Sequence, residues 1–161
     1  MFTLRCTEKL LKHLKVKPAV TSLPSETALG DWYAKPLNLG HDRFVLCSSA
    51  KTLLPLVVRV AGGDIPGKLV AGLREVLHEI GVAAPLIEAE LRHMDAVTLA
   101  KTANRSVLGW MTDLSILSQY HWADGERMSP LALSLKLART PCVSLNLFPK
   151  TATMKALEGA A

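Results

Sequence analysis

Apolar and polar residues alternate from Phe2 to Cys6, which predicts a strand with Phe2, Leu4 and Cys6 on one face. Thr7 is placed to cap a following helix, and Glu8 stands in its first turn, where the helix dipole favours an anion. Leu10, Leu11 and Leu14 form the apolar stripe of that helix. It ends near Val16, because Pro18 disfavours helical geometry in the residue ahead of it. Residues 18–29, with Pro18, Ser22, Pro24, Ser25 and Thr27, have loop composition. Asp31 to Leu39 and Arg43 to Ser48 then read as a hairpin turning at Gly40-His41-Asp42, and Pro36 marks the outgoing strand as an edge or a bulge. The β-branched run from Leu53 to Val60 predicts a fourth strand.

Helical periodicity dominates from there. Gly62-Gly63-Asp64 breaks the chain, and Leu69, Leu73, Val76, Leu77 and Ile80 recur at helical spacing over Pro66 to Ile80, with Gly81 closing the helix. Pro85 opens a short helix to about Met94, and Asp95 to Lys101 reads as a last strand. The longest helix runs from Asn104 to about Trp122, with Val107, Trp110, Met111, Leu114 and Leu117 inward and Asp124-Gly125 at its end. Ser129 caps Pro130 to Arg139, Pro141 stops that helix, and the tail from Val143 holds one terminal helix. Strands first and helices later predict an α+β fold. The expected form is a single domain over residues 1–161, a mostly antiparallel or mixed sheet of about five strands packed against helices from the second half. Its blocks are 1–17, 30–60, 66–140 and a tail over 143–161.

Composition narrows the classes. The chain has 161 residues, 49% hydrophobic and 20% charged, which suits one domain with a real core. No apolar run nears the ~18 residues a membrane span needs, since Leu53 to Ala61 is broken by Pro55 and Arg59. Charges at Arg5, Glu8, Lys9, Lys12 and Lys15 leave no apolar core for a signal peptide, so a cytoplasmic protein without membrane partners is expected. Cys6, Cys47 and Cys142 lack the close spacing of a zinc or redox motif and read as small buried hydrophobes. The net charge is +5, and residues 1–17 supply most of it, with Arg5, Lys9, Lys12, Lys15 and Lys17 against Glu8 alone. A local cationic patch attracts phosphate, nucleic acid or an acidic protein partner, although a solvated helix face has the same composition.

Standard catalytic signatures are missing. His78-Glu79 begins like H-E-x-x-H, but Val82 stands where the second histidine is required, and His93 lies on another element from these two. Gly62-Gly63 follows a strand, yet the next glycine is Gly67 and no Lys-Ser or Lys-Thr pair follows, so neither common nucleotide loop is present. No G-x-S-x-G occurs. Neither a cofactor nor a metal is expected, and an enzyme is disfavoured.

Two segments hold polar residues that packing alone does not demand. Leu29-Gly30-Asp31-Trp32-Tyr33-Ala34 puts a carboxylate and two aromatics at a loop-to-strand junction, where Trp32 could stack on a planar ligand and Asp31 orient it. The simpler alternative is that an aromatic fills the core while Asp31 bonds a loop amide. In the second segment, Asn104 or Thr102 caps the long helix and leaves Arg105 and Ser106 in a first turn that favours an anion. Arg105, Gly109 and Asp113 share one helical stripe, and the missing side chain of Gly109 leaves a gap that a ligand or a strand could enter.

These blocks resemble a known family. Leu4-Arg5-Cys6-Thr7-Glu8-Lys9-Leu10-Leu11, then Leu29 to Ala34, Thr52-Leu53-Leu54-Pro55, and Lys101 to Asp113 are similar to a family of small bacterial proteins classed as a domain of unknown function. Trp110 departs from it, standing where a small residue is expected. The resemblance implies a bacterial, cytosolic, single-domain protein and supplies no activity. Residue chemistry alone therefore gives the leading expectation, a binding module for an anionic ligand, such as a nucleic acid or nucleotide, that uses Arg5, Lys9, Lys12, Asp31, Trp32, Asn104, Arg105, Ser106 and Asp113. The alternatives are a regulatory or antitoxin-like interaction domain, and an enzyme with Asp31 and Asp113 as acid–base groups beside Arg105.

Overall fold

A computed structural model describes residues 1–123, 128–142, 145 and 147–160. The chain runs β1 (Phe2–Cys6), α1 (Glu8–Leu14), β2 (Trp32–Leu39), β3 (Asp42–Ser49), β4 (Pro55–Arg59), α2 (Ile65–Glu79), α3 (Ala84–Arg92), β5 (Val97–Lys101), α4 (Arg105–Ala123), α5 (Pro130–Ala138) and α6 (Pro149–Gly159). The five strands form one mixed sheet in the order β4-β3-β2-β1-β5. β2 pairs antiparallel with β3, and β3 with β4, whereas β1 pairs parallel with both β2 and β5. The α+β expectation therefore holds in its mixed-sheet form. Asp124 and Gly125, expected to end the long helix, and Val143, at the start of the expected tail, lie outside the described residues.

Local signals act as their chemistry requires. The Thr7 side chain accepts from the Leu10 N–H, and Ser129 accepts from Ala132, each capping its helix. The β2–β3 turn is two residues long, with Gly40 at its first central position and a φ of 61° that favours glycine. Pro36 sits in an interior strand, and the register explains why it is tolerated. β1 reaches only Ala34 of β2, so Pro36 lies beyond it and its missing N–H leaves no β1 carbonyl unpaired. Pro55 starts β4, an edge strand.

Alternation along the strands buries both faces of the sheet. Leu4, Cys6, Trp32, Ala34, Val45, Cys47 and Leu56 face one apolar cluster with residues of α1, α2 and α3. Tyr33, Leu37, Phe44, Leu46 and Val57 face another, completed by Val107, Trp110, Met111 and Leu114 of α4 and by Leu133 and Leu137 of α5. α5 also protects the open edge of β4, since the Val57 N–H donates to Ser134 Oγ at 2.8 Å. All three cysteines are buried, as small hydrophobes would be.

This layering creates one notable place. β1 and β5 are adjacent and parallel, so their carboxyl ends share an edge of the sheet. β1 leads into α1, whose Leu10 and Leu11 join the first cluster, while β5 leads into α4 on the opposite face. Neighbouring parallel strands that send their chains to opposite faces open a crevice at their carboxyl ends, a usual ligand position in α/β sheets.

Candidate functional site

The sequence-selected residues divide into groups. Arg5 and Asp31 meet directly: Arg5 Nε donates to Asp31 Oδ2 at 2.7 Å, Nη1 to the Lys101 carbonyl at 3.0 Å, and Nη2 to Ser22 Oγ at 3.0 Å. Ser25 Oγ donates to the other Asp31 oxygen at 2.6 Å and accepts from the Thr3 N–H at 2.9 Å. The segment between α1 and β2 is thus strapped across β1, and the Ala19 N–H, donating to the Leu99 carbonyl at 2.8 Å, ties it to β5. Three of the five Arg5 N–H donors are engaged in this way, two with the segment between α1 and β2 and one with β5.

Trp32 is fully buried, which removes it as a stacking surface; its indole N–H meets no acceptor among the described residues. Its neighbour Tyr33 reaches the second segment, where its hydroxyl accepts from the Asn104 N–H at 3.0 Å. Asn104 Oδ1 accepts from the N–H groups of Ser106 and Val107 at 2.9 and 3.3 Å, so Asn104 caps α4. The regions near positions 31 and 105 are therefore linked through Arg5 and Tyr33. The links are hydrogen bonds.

The stripe of Arg105, Gly109 and Asp113 faces solvent. A Cβ built on Gly109 meets nothing within 4 Å, so neither a strand nor a side chain fills the gap. Trp110 turns inward, and its Nε1 donates to the Leu53 carbonyl at 3.0 Å. Among the described residues no hydrogen bond or ion pair joins Asp31 to Asp113 or Arg105; the Asp31 carboxylate is held by Arg5 and Ser25 instead. The glycine-containing connection from β4 to α2 is also occupied. Asp64 accepts from the Gly67 N–H, and Lys68 Nζ donates to the carbonyls of Arg59 and Ala61. Among the described residues no three His, Cys, Asp or Glu side chains gather to hold a metal, and no helix is long and apolar enough to cross a membrane.

The basic helix leads elsewhere. α1 lies against the β2–β3 hairpin beyond the end of β1, and between them is a cavity of about 290 Å³. Lys9, His13 and Arg43 line it, together with Leu10, Pro36, Val45 and Val60, and no described carboxylate does. Pro36 and Val60 are half-buried and supply an apolar floor over the buried Leu10 and Val45, whereas the three basic side chains are exposed at the rim. Lys12, one turn further along, points away into a solvent-exposed pair with Glu8 at 3.5 Å. Lys35 precedes Pro36 and follows by two Tyr33, whose hydroxyl meets the Asn104 N–H. Burial, and then the nearby Lys9 charge, lowers its affinity for a proton. Two cations held close without an intervening carboxylate leave a positive potential unspent.

Arg43, His13 and Lys35 were not selected from the sequence. The three lie in different elements, and only the register Pro36↔Val45 and the placement of α1 bring Arg43 and His13 to one cavity.

A protein-family model matches residues 3–151, from the second residue of β1 into α6. The chain belongs to the family described as Domain of unknown function (DUF6933). The DUF6933 match takes in the Arg5–Asp31 strap, both walls of the basic cavity and all of the sheet except Phe2, and its description names no activity. No curated protein and no solved structure matches the chain.

Proposed function

We propose that the chain is a binding module for an anionic ligand, seated between α1 and the β2–β3 hairpin. One observation carries the reading: Lys9, His13 and Arg43 line a single cavity that no described carboxylate enters. Exposed cations without partners lose little by meeting an anion, and an apolar floor that excludes water strengthens each contact. Arg105 and Ser106 are exposed at the start of α4, which follows the carboxyl end of β5, and are not among the residues that line this cavity. Arg5 and Asp31 support the site by fixing the strap, and Lys12 contributes only diffuse charge.

Titration of the full chain with inorganic pyrophosphate, followed by calorimetry at low and high salt, tests this. Binding is expected to weaken as salt rises and to fall about tenfold or more in Lys9→Gln/Arg43→Gln. Unchanged affinity in that double variant overturns the reading.

A second reading, a protein-interaction domain, draws on exposed apolar side chains. Val16, Val20 and Leu23 on the strap and Val97 of β5 are all exposed, and the Ala19–Leu99 hydrogen bond sets strap and strand side by side. Val20→Asp/Leu23→Asp would abolish any specific co-purification that depends on this patch; an unchanged set of partners excludes it.

A further inference from the structure

Resting on that anion reading, we infer that the ligand of the α1–hairpin cavity is a small phosphomonoester with a compact apolar body, not a nucleic-acid strand. The cavity, about 290 Å³, lies just below the range of roughly 300–1,000 Å³ for sites that hold a drug-sized molecule, so it suits a smaller one. Its two surfaces differ in kind. The rim offers Lys9, His13 and Arg43, a point charge, an imidazole and a planar guanidinium that can grip a phosphate through two parallel hydrogen bonds. The floor offers the half-buried side chains of Pro36 and Val60, which have no charge to satisfy and reward an apolar group laid over them. A bare inorganic anion leaves that floor wet.

A single strand of nucleic acid requires aromatic platforms on which successive bases stack. Phe44 is the one aromatic residue lining the cavity, and its ring is only 1% exposed. It is already engaged, edge-on to Trp122 with centroids 5.6 Å apart and covered by the Arg59 guanidinium at 5.3 Å. Trp32 is buried elsewhere in the core, so the aromatic expected to stack is unavailable. The site suits one phosphate with one apolar body.

Calorimetry on the full chain with three probes separates the possibilities: inorganic phosphate, phenyl phosphate and a single-stranded twelve-residue oligothymidylate. Phenyl phosphate is expected to bind about tenfold tighter than inorganic phosphate, the gain expected if roughly 55 Å² of ring surface leaves water. Binding should also carry a negative heat-capacity change. Val60→Ser should erase most of this advantage, lowering the affinity for phenyl phosphate more than that for inorganic phosphate. If Val60→Ser lowers the thermal midpoint, the ratio of the two affinities in the unmutated chain still decides. Equal affinity for the two phosphates overturns the inference and leaves the anion reading intact. Oligothymidylate binding tighter than phenyl phosphate, with a steep salt dependence, also overturns it in favour of a strand. Failure of every probe to bind removes both.

Discussion

Truncating Arg5 to alanine separates a structural role from a ligand-binding one. The guanidinium makes three hydrogen bonds, to Asp31, Ser22 and the Lys101 carbonyl, and both side chains of the ion pair are only 21% exposed. A hydrogen bond to a charged group contributes about 1.5–3 kcal/mol, and removing one member of a shielded pair also strands the other charge. Asp31 would keep only Ser25 as a donor. Allowing for the remaining solvent access, Arg5→Ala should cost about 3 kcal/mol. For a chain of this size that corresponds to a fall of roughly 6–12 °C in thermal midpoint. Circular dichroism melts of Arg5→Ala, Asp31→Ala and the double variant form a thermodynamic cycle, with an expected coupling of at least about 1.5 kcal/mol. Pyrophosphate affinity, measured well below the melting range, should be nearly unchanged. Additive losses, or a stable Arg5→Ala protein that no longer binds anions, would show that Arg5 is a ligand contact instead.

Three further outcomes follow from the same geometry. Gly109 is inside α4 with open space where a side chain would be, so Gly109→Ala should stabilise by about 1 kcal/mol; destabilisation in a urea melt would mean that the face is covered in solution. Trp32 buries an indole N–H without an acceptor, so Trp32→Phe should change stability by less than about 1.5 kcal/mol, the lost volume being offset by removal of that unsatisfied donor; a loss near 4 kcal/mol argues for a partner to the indole. Burial pushes the Cys6 thiol up to about 11 from an ordinary 9.0, and Cys47, which is more deeply buried, further in the same direction. Both should resist a thiol reagent at pH 8 until the chain unfolds. Because the folded value for Cys6 is the higher one, stability is unaffected below pH 9 and declines as pH rises from 9 towards 11; rapid labelling of the native chain contradicts this.

Much of the architecture was legible in the residues because it is set locally. Alternation in Phe2–Cys6, the spacing of Leu69, Leu73, Val76 and Leu77, and the caps Thr7, Asn104 and Ser129 act within a few residues of themselves, so the elements stand where those signals predict. Individual side chains were harder to assign. Trp32 suits a stacking surface or a core equally well until its strand is known to lie in the sheet interior with α1 and α2 over that face. Arg5 carries the same charge whether it meets a ligand or Asp31, and the strap that decides between them joins residues 26 positions apart.

By itself, then, the sequence determined the fold class, the succession of elements and the concentration of positive charge near the amino terminus, since these follow from short-range periodicity and composition. Tertiary structure alone decided which basic side chains lie together. Lys9 and His13 sit on a helix and Arg43 on a strand of the hairpin, and nothing along the chain ties them. They share a cavity because β1 stops at Ala34 of its neighbour, leaving α1 to lie against the exposed remainder of β2. Strand length and register are collective outcomes of packing, so a site built on them appears only when the whole sheet is assembled.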